Sequence, residues 1–271
     1  MPLTRSRQKA GNVLVLVLVI ALNGLAASGA MSGDSIGVIA NRYRSLFLPA
    51  DYVFGIWSLI YLGLIATAIY QALPTAGAER AVQRLGIWWA VTGALNVAWI
   101  SLFSFGQFAL ALLVMVIFLI TLIAIGERVR GGTSRGSRRG SGGADLAPLA
   151  EQAFLIWPQD IYLAWISVAL IANSFQFAQA VQWGGFGIAE STWAVTMMLV
   201  ATLLGVTMAW RRGNWLFPLV VAWALRGIGA RYPEVAAIAD TTRWLVPAGV
   251  AAGAVAWLAG RRARRDHPTW R

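Results

Sequence analysis

The chain has 271 residues, of which 58% are hydrophobic and only 12% charged, against roughly 25% charged in a soluble domain. It has no cysteine, and its one histidine, His267, lies in the charged tail; disulfides, thiolate sites, a cysteine nucleophile and an intramembrane histidine-ligated metal or haem are excluded, and a Ser–His pair is not expected. The net charge of +11 sits in segments between apolar runs, where membrane topology accounts for it, so no nucleic-acid partner is expected.

Several runs of 17 or more nearly charge-free residues are long enough to cross a ~30 Å hydrocarbon layer as helix. They are continuously apolar rather than alternating, which excludes a transmembrane β-barrel. The expected fold is an all-α membrane protein with about eight transmembrane helices, at about 13–30, 52–73, 86–105, 108–126, 158–181, 192–210, 215–230 and 244–260. Arg5, Arg7 and Lys9 precede the first run as they would in a signal peptide, but the run continues to about Ala30, so a retained helix is preferred.

The second run opens on Pro49-Ala50-Asp51-Tyr52-Val53-Phe54-Gly55-Ile56-Trp57 and carries Tyr61 one helical turn after Trp57. In the third, Trp89, Gly93, Asn96 and Phe103 form one stripe with Trp99 adjacent, while Gly86, Ala90, Ala94 and Ala98 form a ridge of small residues. Such ridges let helices approach closely, either within the chain or across a homodimer seam. Residues 131–145, rich in Gly, Ser and Arg, read as a flexible basic loop that cannot bury a core. The fifth run starts at Pro158 and Asp160, the latter suited to a helix N-terminus or to proton coupling, and places Trp165, Ala169, Asn173 and Gln176 on one face. Gly184 to Ala189 marks the expected boundary between two helix groups, 1–183 and 184–271. The last run carries a further small face at Gly249 and Gly253.

With the N-terminus inside, 17 of the 22 basic residues fall on cytoplasmic segments, a strong positive-inside signal that places both termini in the cytoplasm. Nine of the 14 tryptophans (Trp88, Trp89, Trp157, Trp183, Trp193, Trp210, Trp215, Trp244 and Trp257) fall near span ends, where interfacial enrichment accounts for them. Trp57, Trp99, Trp165 and Trp223 lie further in. Amides inside lipid are costly unless paired, so Asn96 and Asn173 point inward. Aromatic walls with a few amides suit a flat apolar ligand.

At these residues the chain resembles the tryptophan-rich sensory protein family, also called the translocator protein (TspO/MBR) or peripheral benzodiazepine receptor family. The resemblance rests on Pro49, Gly55, Trp57 and Tyr61; on Leu95, Asn96, Ala98 and Trp99; and on Pro158, Leu163, Ala164, Trp165 and Asn173, in order over roughly residues 10–183. The chain departs from the family pattern in lacking the proline before Trp57, in having Ile100-Ser101 where the family has two prolines, and in having no arginine shortly after Asn173, so cholesterol contact through that segment is not implied. The resemblance implies a five-helix bundle over 1–183 whose cavity is covered by the loop between the first two helices, here about 31–51. Three additional helices follow over 184–271. It implies a porphyrin or another planar hydrophobic ligand, no required cofactor, and a homodimer through the third helix, which points to the Gly86, Ala90, Ala94 and Ala98 ridge. Any enzyme activity would be photochemical porphyrin breakdown.

The leading expectation is a multi-pass integral membrane binding or sensory protein. Its ligand would stack on Trp57, Tyr61, Trp99 and Trp165, with polar contacts from Asn96 and Asn173; no catalytic and no metal residue is assigned. The alternative is a transporter or a lipid or tetrapyrrole translocator, favoured by the span count and by Asp160 and Arg226, but without an inverted repeat or broken helix pair to support it. The expected partners are the lipid bilayer and a hydrophobic small molecule. The expected location is the cell membrane of a bacterium, because one lysine against 21 arginines, with abundant Ala and Gly, suits a GC-rich genome.

Overall fold

The computed structural model describes residues 2–136 and 149–266. Among them every regular element is helical. The first half of the chain forms α1 (Pro2–Ser28), α2 (Ile36–Arg42), a 3-10 turn (Asp51–Gly55), α3 (Ile56–Ala72), α4 (Ala76–Leu85), α5 (Trp88–Ser104) and α6 (Phe108–Gly136). After the undescribed segment come α7 (Leu149–Glu151), a π turn (Gln152–Ile156), α8 (Trp157–Ala180), α9 (Glu190–Arg212), α10 (Leu216–Arg231) and α11 (Ala236–Asp266). The basic loop expected over 131–145 starts as the end of α6, and its remainder lies outside the described residues, as does His267.

Among the described residues, six helices are long and apolar enough to cross a bilayer, or seven if the bent pair α4–α5 makes one span. The expected count of eight differs for two physical reasons. The run at 86–105 is the single helix α5, whose 17 residues rise only about 26 Å, and it is joined at an angle to the α4 that precedes it. Thr75 caps α4 by accepting from the Ala78 N–H at 3.1 Å, and Gly86, at φ +52°, ends that helix, so that α5 leaves at 54° to it. The run at 215–230 becomes α10, whose 16 residues rise only about 24 Å, short of a ~30 Å hydrocarbon layer. The expected loop at 31–51 is itself partly helical, through α2.

The chain divides into two compact units, and the division falls inside α8. The first unit comprises Met1–Ile39 and Trp57–Leu163, and the second Ala40–Ile56 and Ala164–Arg271. In the first, α1 packs on α5 and α5 on α6. Gly93 makes the α1–α5 approach possible: a Cβ there would run into the Val15 side chain and come within 3.3 Å of Val19 Cγ2. Thr67 of α3 joins that helix to the π turn, its hydroxyl donating to the Phe154 oxygen at 2.6 Å.

In the second unit α9 packs on α11, and α10 packs on both. The small face read on the last helix is used inside the chain: a Cβ on Gly249 would lie 2.9 Å from Thr202 Cγ2, and one on Gly253 would lie 2.7 Å from Pro218. This is the close packing by small residues that membrane helices favour.

Candidate functional site

In the first unit, Trp57 and Tyr61 stack at 5.7 Å between ring centroids, with 24° between their planes. Trp57 also stacks on Trp99 of α5, at 5.6 Å and 21°. Tyr162 of α8 meets Trp57 edge-on at 6.1 Å and Phe118 of α6 edge-on at 5.4 Å. These separations lie in the favourable range for offset-stacked and T-shaped rings. Trp99, Tyr162 and Phe118 are buried, whereas Trp57 and Tyr61 are half-buried and form the more open part of the cluster.

A chain of polar side chains runs beside the rings. Asn23 of α1 donates to Asn96 Oδ1 at 2.6 Å, and Asn96 donates in turn to the Tyr162 hydroxyl at 2.9 Å. Asn96 is wholly buried. Each amide therefore has a protein partner, as an apolar surrounding demands. Sequence reading found Asn96 and missed Asn23, Phe118 and Tyr162. The available signals were an asparagine inside the apolar run of α1 and a tyrosine within Ile161-Tyr162-Leu163-Ala164-Trp165. Asn96→Leu is expected to leave the Tyr162 hydroxyl without its donor, destabilising the protein by about 1–3 kcal/mol. Equilibrium unfolding of the detergent-solubilised variant checks this.

Trp165 and Asn173 belong to the second unit. Trp165 is buried and meets Phe54 edge-on at 6.2 Å. Asn173 donates back to the Ala169 carbonyl at 2.9 Å. The face on which they were expected, with Ala169 and Gln176, is buried throughout. Of the small ridge, Ala94 is exposed and Ala90 and Ala98 are half-exposed, while Gly86 sits in the α4–α5 bend rather than on α5. Trp89, at the start of α5, is buried, its indole donating to the Asn12 carbonyl at 3.0 Å.

Two ion pairs tie together the ends of helices in the first unit. Arg84 of α4 pairs with Glu151 of α7, and Arg130 of α6 pairs with Asp160 of α8; both carboxylates are buried. Lys9 of α1 also pairs with Glu79 at 2.9 Å. Asp160 thus has a cation partner besides its favourable position in the first turn of α8. Among the described residues, no group of three or more His, Cys, Asp or Glu side chains comes together.

In the second unit, the segment 40–56 is held by α8, α9 and α10. The Leu46 N–H donates to Glu190 at 2.7 Å, and the Tyr232 hydroxyl donates to the Ser45 carbonyl at 2.6 Å. Burial pushes the Tyr232 hydroxyl above its usual pKa, so it remains a donor at neutral pH. Arg231 donates to the Pro49 carbonyl at 3.1 Å and to Asp51 at 3.0 Å, and also bonds Asn41. The Trp223 indole donates to the Val53 carbonyl at 3.2 Å, and the Ala50 N–H to the Gly227 carbonyl at 3.1 Å. Phe47 stacks on Phe175 of α8 at 5.4 Å.

A family model described as TSPO-like protein matches residues 9–258. The match does not stop at residue 183 but continues through α9, α10 and most of α11. No curated protein and no solved structure matches the chain. A match over nearly the whole length, joined to a helical membrane architecture and an internal aromatic cluster, places the chain in the TSPO-like protein family.

Proposed function

We propose that this chain is a multi-pass membrane binding or sensory protein that holds a porphyrin or another planar hydrophobic ligand at the Trp57–Tyr61–Trp99 cluster. The observation that supports it is the run of three near-parallel rings, two of them half-buried, beside the Asn23–Asn96–Tyr162 chain. The rings now stack on one another, so a flat ligand would lie against Trp57 and Tyr61 or part Trp57 from Trp99. The rings offer it faces of the kind that aromatic pairs already use. Asn96 would act through Tyr162, by fixing the ring that meets Trp57 edge-on. On this reading both termini are cytoplasmic, the membrane is the cell membrane, and the exposed Ala94 with Ala90 and Ala98 would form a homodimer seam.

Titrating protoporphyrin IX into the detergent-solubilised protein and following the porphyrin absorption band tests the proposal. Saturable binding is expected. Trp57→Leu, which removes the ring common to both poses, should weaken it about two- to tenfold, because one lost stacking partner contributes ~0.5–1.5 kcal/mol beyond its area of apolar contact. Trp165→Leu, whose ring meets Phe54, is the comparison and should leave affinity nearly unchanged. Absence of saturable binding, or equal affinity in wild type and Trp57→Leu, would refute the assignment.

A further inference from the structure

The ends of α9 and α11 carry a second feature, unrelated to the aromatic cluster. Both helices run in the same direction, joined through the antiparallel α10, and they pack on each other. Their register is fixed by Pro218 near the start of α10, which approaches both Gly205 of α9 and Gly253 of α11. One turn beyond Gly253 is Trp257, and one turn further is Arg261. One turn beyond Gly205 is Ala209, followed by Trp210, Arg211 and Arg212. The two ends therefore lie at one level. The candidate spans stop there, at Arg212 and at Ala263.

The residues gathered at this level share one chemistry. Arg211, Arg212 and Arg262 are exposed, Trp210 is 51% exposed, and the Arg261 guanidinium lies 4.6 Å from the centroid of the Trp257 ring. Arg264 and Arg265 follow on the same helix, with Asp266 after them. No Asp or Glu occurs from 191 to 233 or from 241 to 265.

We infer that this end of α9 and α11 is a binding surface for anionic phospholipid. The guanidinium groups meet the headgroup phosphodiesters, and the indoles of Trp210 and Trp257 lie at the boundary between headgroup and acyl chain. Guanidinium matches phosphate geometry through paired N–H donors. Tryptophan prefers that boundary, and basic clusters just outside a span are drawn to anionic leaflets. Charge complementarity selects the occupant: the surface is cationic, lies where the helices leave the hydrocarbon, and carries apolar rings that free phosphate would not use.

Native mass spectrometry of the full chain, from mixed micelles holding equal phosphatidylglycerol and phosphatidylcholine, tests this. The wild type should retain phosphatidylglycerol over phosphatidylcholine by at least about fivefold, a preference that weakens as salt is raised. A variant with Arg211, Arg212, Arg261 and Arg262 all changed to Gln should lose the preference. A control variant with Arg42, Arg44, Arg226 and Arg243 changed to Gln loses the same net charge elsewhere and should keep it. Each variant is first shown to be monodisperse and as helical as the wild type. Three results would overturn the inference: no preference in the wild type, equal loss in both variants, or displacement of the lipid by inorganic phosphate.

Discussion

Arg84→Leu is expected to destabilise the protein by about 3–5 kcal/mol, because it leaves the Glu151 carboxylate buried without its cation. The Glu151 side chain is 4% exposed and that of Arg84 12% exposed, so solvent cannot replace either partner. Arg84 also reaches the Val129 carbonyl at 3.4 Å, so the same substitution removes a contact to α6. The double variant Arg84→Leu/Glu151→Leu should recover much of the loss, since removing both charges of a buried pair is often close to neutral. Equilibrium unfolding in mixed micelles reads both. If the single variant falls within about 1 kcal/mol of wild type, the pair behaves as a solvated surface contact and the argument fails.

The ion pairs illustrate what a sequence of this kind discloses. Hydropathy alone gives the membrane class and most of the spans, because a long charge-free run has few other stable states. Helical periodicity also gives the buried faces correctly: Trp89, Gly93, Asn96 and Phe103 on α5, and Trp165, Ala169, Asn173 and Gln176 on α8, are all buried. Pairwise geometry is not readable in the same way. Nothing local to Trp57 and Trp99 says that these rings meet each other, or that Trp165 meets Phe54. Hydropathy starts the third run at Gly86, where α4 ends and α5 begins, but it passes over α4 itself, because Glu79, Arg80 and Arg84 make that helix polar. Trp89 shows the same limit: it stands at the start of α5, and the carbonyl that accepts from its indole, that of Asn12, lies 77 residues away.

The role of the helices beyond the fifth run shows the same limit. By resemblance, the loop at about 31–51 covers a cavity of the five-helix bundle, and helices six to eight have no assigned task. The structure places Ala40–Ile56 in one compact unit with α9, α10 and α11. Its partners there are distant in sequence, Arg231 and Asn41 being 190 residues apart. No motif or period can anticipate such pairings. They are consistent with a family match that runs without interruption to residue 258. The end of α10 presents Trp223, Gly227 and Arg231 to the backbone of 49–53.

Gly227→Leu is the substitution that tests this arrangement most directly. At this position a Cβ would run into the Val53 side chain and lie 3.3 Å from Pro49 Cβ, and Val53 has no exposed surface into which to retreat. The Ala50 N–H bonds the Gly227 carbonyl, so the segment and the helix are joined where the added side chain would push them apart. Overpacking of this kind costs about 1–3 kcal/mol, and more where backbone has to move. Amide hydrogen exchange should therefore accelerate across 45–55, while the first unit keeps its protection. Gly126→Ala is the matching control. A Cβ at Gly126 meets nothing within 4 Å, and alanine in a helix interior is favoured over glycine by roughly 0.5–1 kcal/mol, so that variant should be neutral or slightly stabilised. Unchanged exchange at 45–55 in Gly227→Leu would mean that α10 does not hold this segment in place. The length of the family match would then need another cause.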